Sequence, residues 1–340
     1  MAGIPEESFG FFCSRLIAQE RRDIRTLVMT AIDAAREDAP DGSGRRAMDE
    51  WLGARSDTSI LHSIMEQGLE NGMRLLNALD DHALAIELLL RSGQAPKLSL
   101  VTLQRGFIEA LLLICHLFDP AVDPATLIRR HVAYQLQSVE GNEGTAVKFG
   151  GHLPASDLQR ARTAVDEIQS FLLNNGFVLG KSRPNHLHTS YVGFEGANQT
   201  VAFNATDAMK LYLTEQAYEW SVSSGAVHAL GWFLPSVVDG ATEDALSDYV
   251  TTYTGVAAGM ISASYALLNV FSGHSGIDVR AVEKATHFRV RAIISAHDGS
   301  AFSSIDVETF KGRRGFSPDS DESVLGAGFV RQPERWVRGR

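Results

Sequence analysis

The chain predicts an all-α fold: a multi-helix bundle forming a single large domain, with a long loop at about 176–199 and a flexible C-terminal tail. Three observations predict it. Apolar residues return every three or four positions over most of the chain, which is the period of a helix buried on one side. No segment alternates convincingly as a strand, and no repeat of fixed period divides the 340 residues into units. One-sided helices in such number are buried most simply against one another in a bundle with peripheral members.

Residues 1–56 hold an N-terminal peripheral helix and a linker; Phe12, Leu16, Ile24, Leu27, Val28, Ala31 and Ala35 trace one face until Asp41-Gly-Ser-Gly ends it. The helical core is expected over 57–300. Residues 57–92 carry Ile60, Leu61, Ile64, Leu69, Met73, Leu76, Leu84, Ile86 and Leu88, on one long helix or on two joined near Asp80-Asp81. Residues 95–118 form the most apolar helix, stopped by Asp119-Pro and Asp123-Pro, because the residue before a proline is pushed out of the helical region. The stretch 98–118 is long enough to span a bilayer. Gln104, Arg105, Glu109 and His116 interrupt it, which favours a buried core helix.

Further helices are expected at 124–142, 155–175, 205–236, 242–272 and 276–297. The segment 176–199 lacks any period and is rich in Gly, Asn and Ser, and a loop of that length in a compact domain is often functional. The helix at 242–272 carries a face of small residues over 255–264, a seam for close helix approach within the chain or between protomers of a homo-oligomer. Residues 301–340 read as a disordered tail with Trp336 as a docking point.

A formal net charge of −10 gives a field that repels phosphate backbones and anionic membranes. Only a local basic patch would leave room for nucleic acid. Cys13 and Cys115, the two cysteines, both sit in apolar helical patterns, so a reducing, cytoplasmic setting is expected, without disulfides or a Cys-based zinc site. The N-terminus has no basic start followed by an apolar run, so no secretory signal is read there.

Signatures for phosphate loops, zinc proteases, EF-hands, serine hydrolases and dinucleotide folds are missing from the sequence. Asp80-Asp81 with Glu87 resembles an aspartate-rich metal helix but lacks its partner motif, and an exposed acidic turn accounts for it better. His186-x-His188, with His152, could offer two or three zinc ligands, but nothing completes the set, so neither metal nor cofactor is expected. The loose R-x(4–6)-H pattern of one class of helical ribonucleases fits Arg55/His62, Arg183/His188, Arg280/His287 and Arg291/His297, too many matches to carry weight.

Two polar pairs inside apolar helices are more informative. Arg105 and Glu109 lie one turn apart on one face, as do Ser224 and His228. A buried charge without a partner is costly, so these side chains must satisfy one another or bind something. The simplest arrangement sets the two helices face to face. Arg105 then pairs with Glu109, His228 bonds to Glu109 or to a nearby donor, and Ser224 bonds back to its helix or joins the network.

These residues also carry a resemblance. Arg105-x3-Glu109 opening an apolar helix, then Leu-Phe-Asp-Pro (117–120), Ile-Arg-Arg (128–130) and Trp220-x3-Ser224-x3-His228, resembles mainly actinobacterial all-helical proteins similar to the DUF5677 family and, more remotely, HEPN-type helical domains. The resemblance spans roughly 57–298, with Trp220 where Tyr is usual, and it implies that Arg105, Glu109, Ser224 and His228 converge in the core or a cleft. In HEPN-type nucleases an Arg stabilises phosphate charge and a His orients or transfers a proton. Their R-x(4–6)-H motif does not map onto Arg105 and His228.

The expected function is that of a regulatory or binding module whose Arg-Glu/Ser-His network sets helix register, with 176–199 and the tail as contact surfaces and a protein or a small phosphate-bearing ligand as partner. The alternative is an RNA- or nucleotide-directed enzyme, a toxin or defence effector, with His228 as acid/base and Arg105 as anion stabiliser. A third reading, an enzyme on an apolar metabolite in a bundle pocket, has no motif behind it.

Overall fold

The structure, a computed structural model, describes residues 6–35, 37–93, 95–152, 154–182, 188–216 and 245–297. Among the described residues the order is α1 (Glu6–Ala34), α2 (Gly44–Gly53), α3 (Thr58–Arg91), α4 (Lys97–Leu117), α5 (Pro124–Lys148), α6 (Ala155–Asn174), β1 (Val178–Gly180), β2 (Tyr191–Phe194), β3 (Ala197–Thr200), α7 (Ala205–Tyr212), a 3-10 turn (Thr214–Gln216), α8 (Ala245–Ser275) and α9 (Arg280–His297). The protein is an all-α multi-helix bundle carrying one small antiparallel sheet.

Helix starts follow from local chemistry. Asp123 caps α5 by accepting from the Thr126 amide at 2.9 Å, with Pro124 in the first turn where a missing N–H costs nothing. The Asp41-Gly-Ser-Gly stop is also a start: Ser43 accepts from the Arg46 amide and opens α2, a helix within the expected linker. α3 runs unbroken through Asp80-Asp81. Asp80 sits in no exposed turn; it is half-buried mid-helix and pairs with Arg21, at 2.9 Å, and with Arg25, both on α1.

Two apolar clusters hold the bundle. The larger centres on α4, whose Leu100, Leu111, Leu112, Cys115 and Leu117 are fully buried where it packs on α3, α8 and α7, with α1 and α9 joined to the cluster through α3 and α8. The first helix, expected at the periphery, places Phe9, Cys13, Leu16 and Ile17 inside this cluster, and Arg289 of α9 bonds its Glu20 at 2.5 Å. Ala257, Ala263 and Ser264 of the small-residue face are buried, so that seam closes within the chain. α4 and residues 249–275 of α8 are long and apolar enough to cross a membrane by length and composition, and both pack here against other helices.

The smaller cluster joins α2, the start of α3, α5 and the sheet. Here the expected loop at 176–199 is corrected: Val178–Gly180, Tyr191–Phe194 and Ala197–Thr200 pair as an antiparallel sheet, order β1-β2-β3. Val192 and Phe194 face inward, Phe177 stacks on Phe194 at 4.5 Å, and Glu195-Gly196, both at positive φ, makes the two-residue hairpin turn. The strands are three or four residues long, too short for alternation to register in the sequence. Tertiary bonds pin them: the Thr189 amide and hydroxyl donate to buried Glu140 of α5 at 2.9 and 2.5 Å, and Arg129 donates to the Phe194 carbonyl at 2.9 Å.

The helix expected over 205–236 is also corrected. α7 ends at Tyr212, where Leu213 leaves helical dihedrals (φ −138°, ψ 48°) and turns its buried side chain into the larger cluster. Residues 217–244 lie outside the described residues.

Candidate functional site

Of the four residues singled out in the sequence, Arg105 and Glu109 are placed and Ser224 and His228 lie outside the described residues, as do Trp220, Arg183, His186 and Trp336. Arg105 Nε bonds Glu109 Oε1 at 2.8 Å along α4. The Arg105 side chain is largely buried while that of Glu109 is 42% exposed, so the pair lies at the edge of the core with its carboxylate toward solvent. One residue earlier, Gln104 donates to the Gly255 carbonyl of α8 at 3.3 Å. Arg55 is bound by Asp57 at 2.7 Å and by Glu195, and Arg280 by Asp278 at 2.9 Å, which engages two of the R-x(4–6)-H arginines structurally. His188 stands 4.0 Å from Glu140, whose oxygens are taken by Thr189 and Gln169, while His152 is exposed elsewhere. Among the described residues no group of three His, Cys, Asp or Glu is placed to hold a metal.

A different constellation forms where α4 ends. Its last turn leaves unpaired carbonyls, and Arg130 of α5 donates to that of His116 at 2.8 Å, a cation placed at the negative end of a helix. The same Nη1 lies 3.2 Å from Asp119 Oδ2, in the Asp-Pro link that stops α4. The Tyr212 hydroxyl, from the last residue of α7, donates to that oxygen at 2.7 Å, and the Ala121 amide donates to Asp119 Oδ1 at 3.0 Å. Three donors, from α5, α7 and the link itself, thus converge on one nearly buried carboxylate.

Its electrostatics follow from the contacts. Burial alone would raise the Asp119 carboxyl, but the Tyr212 hydroxyl, the Ala121 amide and the Arg130 guanidinium outweigh burial and hold it below the usual carboxylate range. Burial, reinforced by the Asp119 carboxylate, pushes the Tyr212 phenol up, so it stays a protonated donor. His116 is pushed down to about 4 by burial and by Arg130, against the opposing Asp119, so its imidazole is neutral near pH 7. The floor therefore holds one positive and one negative charge, mutually engaged.

Over this floor opens a cleft of about 680 Å³ between the end of α4, one face of α5 and the link from β3 to α7. Arg130, Ala133, Tyr134 and Gln137 present the i, i+3, i+4, i+7 stripe of α5 to it. Leu113, Ala133, Phe203 and Leu211 supply apolar wall, and the Phe203 and His116 rings meet at 5.4 Å. Gln137 fixes the link by accepting from the Phe203 amide at 3.2 Å, and Asn204 caps α7 by accepting from the Thr206 amide at 3.0 Å. A smaller hollow of about 370 Å³ lies at the α8–α9 turn, beside the exposed Arg280–Asp278 pair.

Behind the floor, Phe118 sits edge-on between two buried imidazoles, His131 at 5.3 Å and His274 at 5.4 Å. Neither ring nitrogen of His131, nor Nδ1 of His274, has a hydrogen-bond partner among the described residues. Close approach of α3 makes this possible: a Cβ on Gly68 would stand 2.6 Å from the His131 ring, and one on Gly72 2.7 Å from Phe118.

Compared with protein-family models, with curated proteins and with solved structures, the chain matches none. The chemistry of the cleft is therefore what speaks to function. Cys13 and Cys115 take no part in it: both are fully buried, and burial pushes their thiols well above the ordinary range, away from nucleophilic use.

Sequence reasoning passed over the floor because Asp119 reads as a helix stop, His116 as an interruption of an apolar run and Arg130 as part of a resemblance. Two polar residues at the end of the most apolar helix, with an Arg nearly two turns into the next, were the signal available. Tyr212 is 93 positions from Asp119, and no spacing rule joins them.

Proposed function

We propose that the protein is a binding module that works by taking a small molecule into the cleft between α4, α5 and the β3–α7 link. The observation that carries this reading is the cleft itself. Its volume of about 680 Å³ falls within the range of small-molecule sites, roughly 300–1,000 Å³, and it combines apolar wall with a few fixed polar groups. Its floor is held in place by the bonds that Arg130 and Tyr212 make to Asp119. We place it in the cytoplasm, in accord with two free, buried cysteines.

A thermal-shift and ligand-observed NMR screen of nucleosides, amino acids and aromatic metabolites against the full chain tests it, with Ala202→Trp as the blocking variant. Ala202 is exposed and lines the cleft, so an indole there obstructs the mouth without entering the core. The expected result is at least one ligand that raises the melting temperature of the wild type and leaves the blocked variant unmoved. Ligands that bind both chains equally, or none that bind, would remove the cleft as the basis of function. Conversion of the bound ligand to a product would replace a binding module by an enzyme acting at the same place.

A further inference from the structure

Independently of the cleft, we propose that the outer face of α9 is a docking surface for a short acidic and apolar segment, and that its occupant is the chain's own residues 301–310. In a chain of net charge −10, α9 carries four cationic side chains and one acidic one. Lys284, His287, Phe288, Arg291 and Ile294 are all exposed and, at about 100° per residue, share about 120° of the helix circumference. The opposite face is committed to the core, where Ala292, Ile293 and Ala296 pack and Arg289 bonds Glu20 of α1. Arg280, on the exposed arc, is held by Asp278 at 2.6 Å, whereas neither Lys284 nor Arg291 is in an ion pair among the described residues. Glu283 stands at the edge of that arc and is its one carboxylate. The surface is thus a cationic strip with an apolar side chain on either flank, Phe288 at 55% and Ile294 at 45% exposure.

Charge, reach and tethering select the occupant. Residues 301–310 lie outside the described residues, and their sequence follows α9 directly. Every charged residue in 298–310 is acidic, namely Asp298, Asp306 and Glu308, and Phe302, Ile305 and Val307 lie among them, the complement of a cationic strip with apolar flanks. Asp298-Gly299 comes just past the end of α9, where a glycine lets a chain reverse. From His297 to Ile305 the chain spans up to about 26 Å, at about 3.3 Å per residue. Lys284 is about 20 Å back along the helix, at 1.5 Å per residue, so the segment reaches the whole strip. Exposed ion pairs are weak singly, so an untethered acidic peptide would bind poorly here. The tether supplies what they lack: at an effective concentration of about 1 mM, a contact with an intrinsic dissociation constant of about 0.1 mM is closed about nine-tenths of the time. An anionic membrane has no tether and meets the negative field of the whole chain.

Cys13 and Cys115 are fully buried, so nitroxides can be placed selectively on the full chain through Asn269→Cys, on an exposed site of α8, and Ser304→Cys. Double electron–electron resonance at pH 7.5 is expected to give one narrow distance peak holding about nine-tenths of the population. Lys284→Glu with Arg291→Glu changes two exposed side chains, so circular dichroism should stay as in the wild type. The contact should weaken at least about tenfold, which leaves about half of the chains docked or fewer. Adding Asp306→Lys and Glu308→Lys should restore the peak. A broad distribution in the wild type, a peak that the charge reversal leaves unmoved, or no recovery in the fourfold variant would overturn the assignment. A peak that fades when labelled chain is diluted with unlabelled chain would make the occupant a second copy. A broad distribution together with phosphatidylserine-vesicle binding that Lys284→Glu with Arg291→Glu abolishes would give the face to a membrane. Either result overturns docking of residues 301–310.

Discussion

Acid should weaken this fold before most of its carboxylates titrate, because His131 and His274 are buried as neutral imidazoles. Burial, with His274, His116 and Arg130 adding repulsion, pushes His131 down to about 3; burial, with Arg45, pushes His274 down to about 4. In the unfolded chain both titrate near 6.5. As the pH falls below about 6.5 the unfolded chain binds protons that the folded chain refuses, so stability falls with pH until the folded values are reached. From pH 7.5 to pH 5 each such imidazole removes about 2 kcal/mol, from about 1.5 pH units at about 1.4 kcal/mol per unit; His131 and His274 together remove about 4 kcal/mol, and His116, pushed down to about 4 at the end of α4, adds about 2 kcal/mol more. A domain stability of roughly 5–15 kcal/mol makes that a large fraction. Asp80 and Asp119, both held below the usual range, act mainly below pH 4, while Glu20, raised by burial, works in the opposite sense. Urea unfolding followed by circular dichroism at pH 7.5, 6 and 5 measures the slope. His131→Leu, which sacrifices no hydrogen bond among the described residues, should shrink the loss by about 2 kcal/mol and hold or raise stability at pH 5. A variant with the same pH dependence as the wild type would show that His131 titrates normally in the folded protein and would refute the reasoning.

Tyr212→Phe should lower stability by about 1.5–3 kcal/mol, because buried Asp119 loses a donor at 2.7 Å, and should raise the Asp119 carboxyl toward its ordinary value. An NMR titration of the side-chain carboxyl reads the second effect, and an unmoved value would mean that Tyr212 is not the partner. Arg289→Met strands Glu20, which is 2% exposed and keeps then only Thr286, and should cost about 3–5 kcal/mol in urea unfolding. Adding Glu20→Leu should recover most of it. A double variant no better than the single one would mean that the ion pair is worth more than its burial costs.

The sequence by itself determined the helical class and most helix positions. Periodic apolar faces of twenty to thirty residues, as in α3, α4 and α8, leave a helix only one way to hide them, and Asp-Pro steps end it whatever the surroundings. The Arg105–Glu109 bond was legible for the same reason, since residues one turn apart on a helix meet without help. Their depth was not, because whether Glu109 is buried depends on which neighbour covers that face. Tertiary structure decided the rest. Three strands of three or four residues exist because Glu140 and Arg129, far off in sequence, take their backbone groups and side chains. α7 stops at Tyr212 where Leu213 finds a place in the core and the phenol finds Asp119. The cleft floor joins residues 116, 119, 130 and 212, and only the packing of α4, α5 and α7 brings them together. Local chemistry specifies what each segment becomes; the cost of leaving a buried charge or carbonyl unpaired specifies which segments must meet.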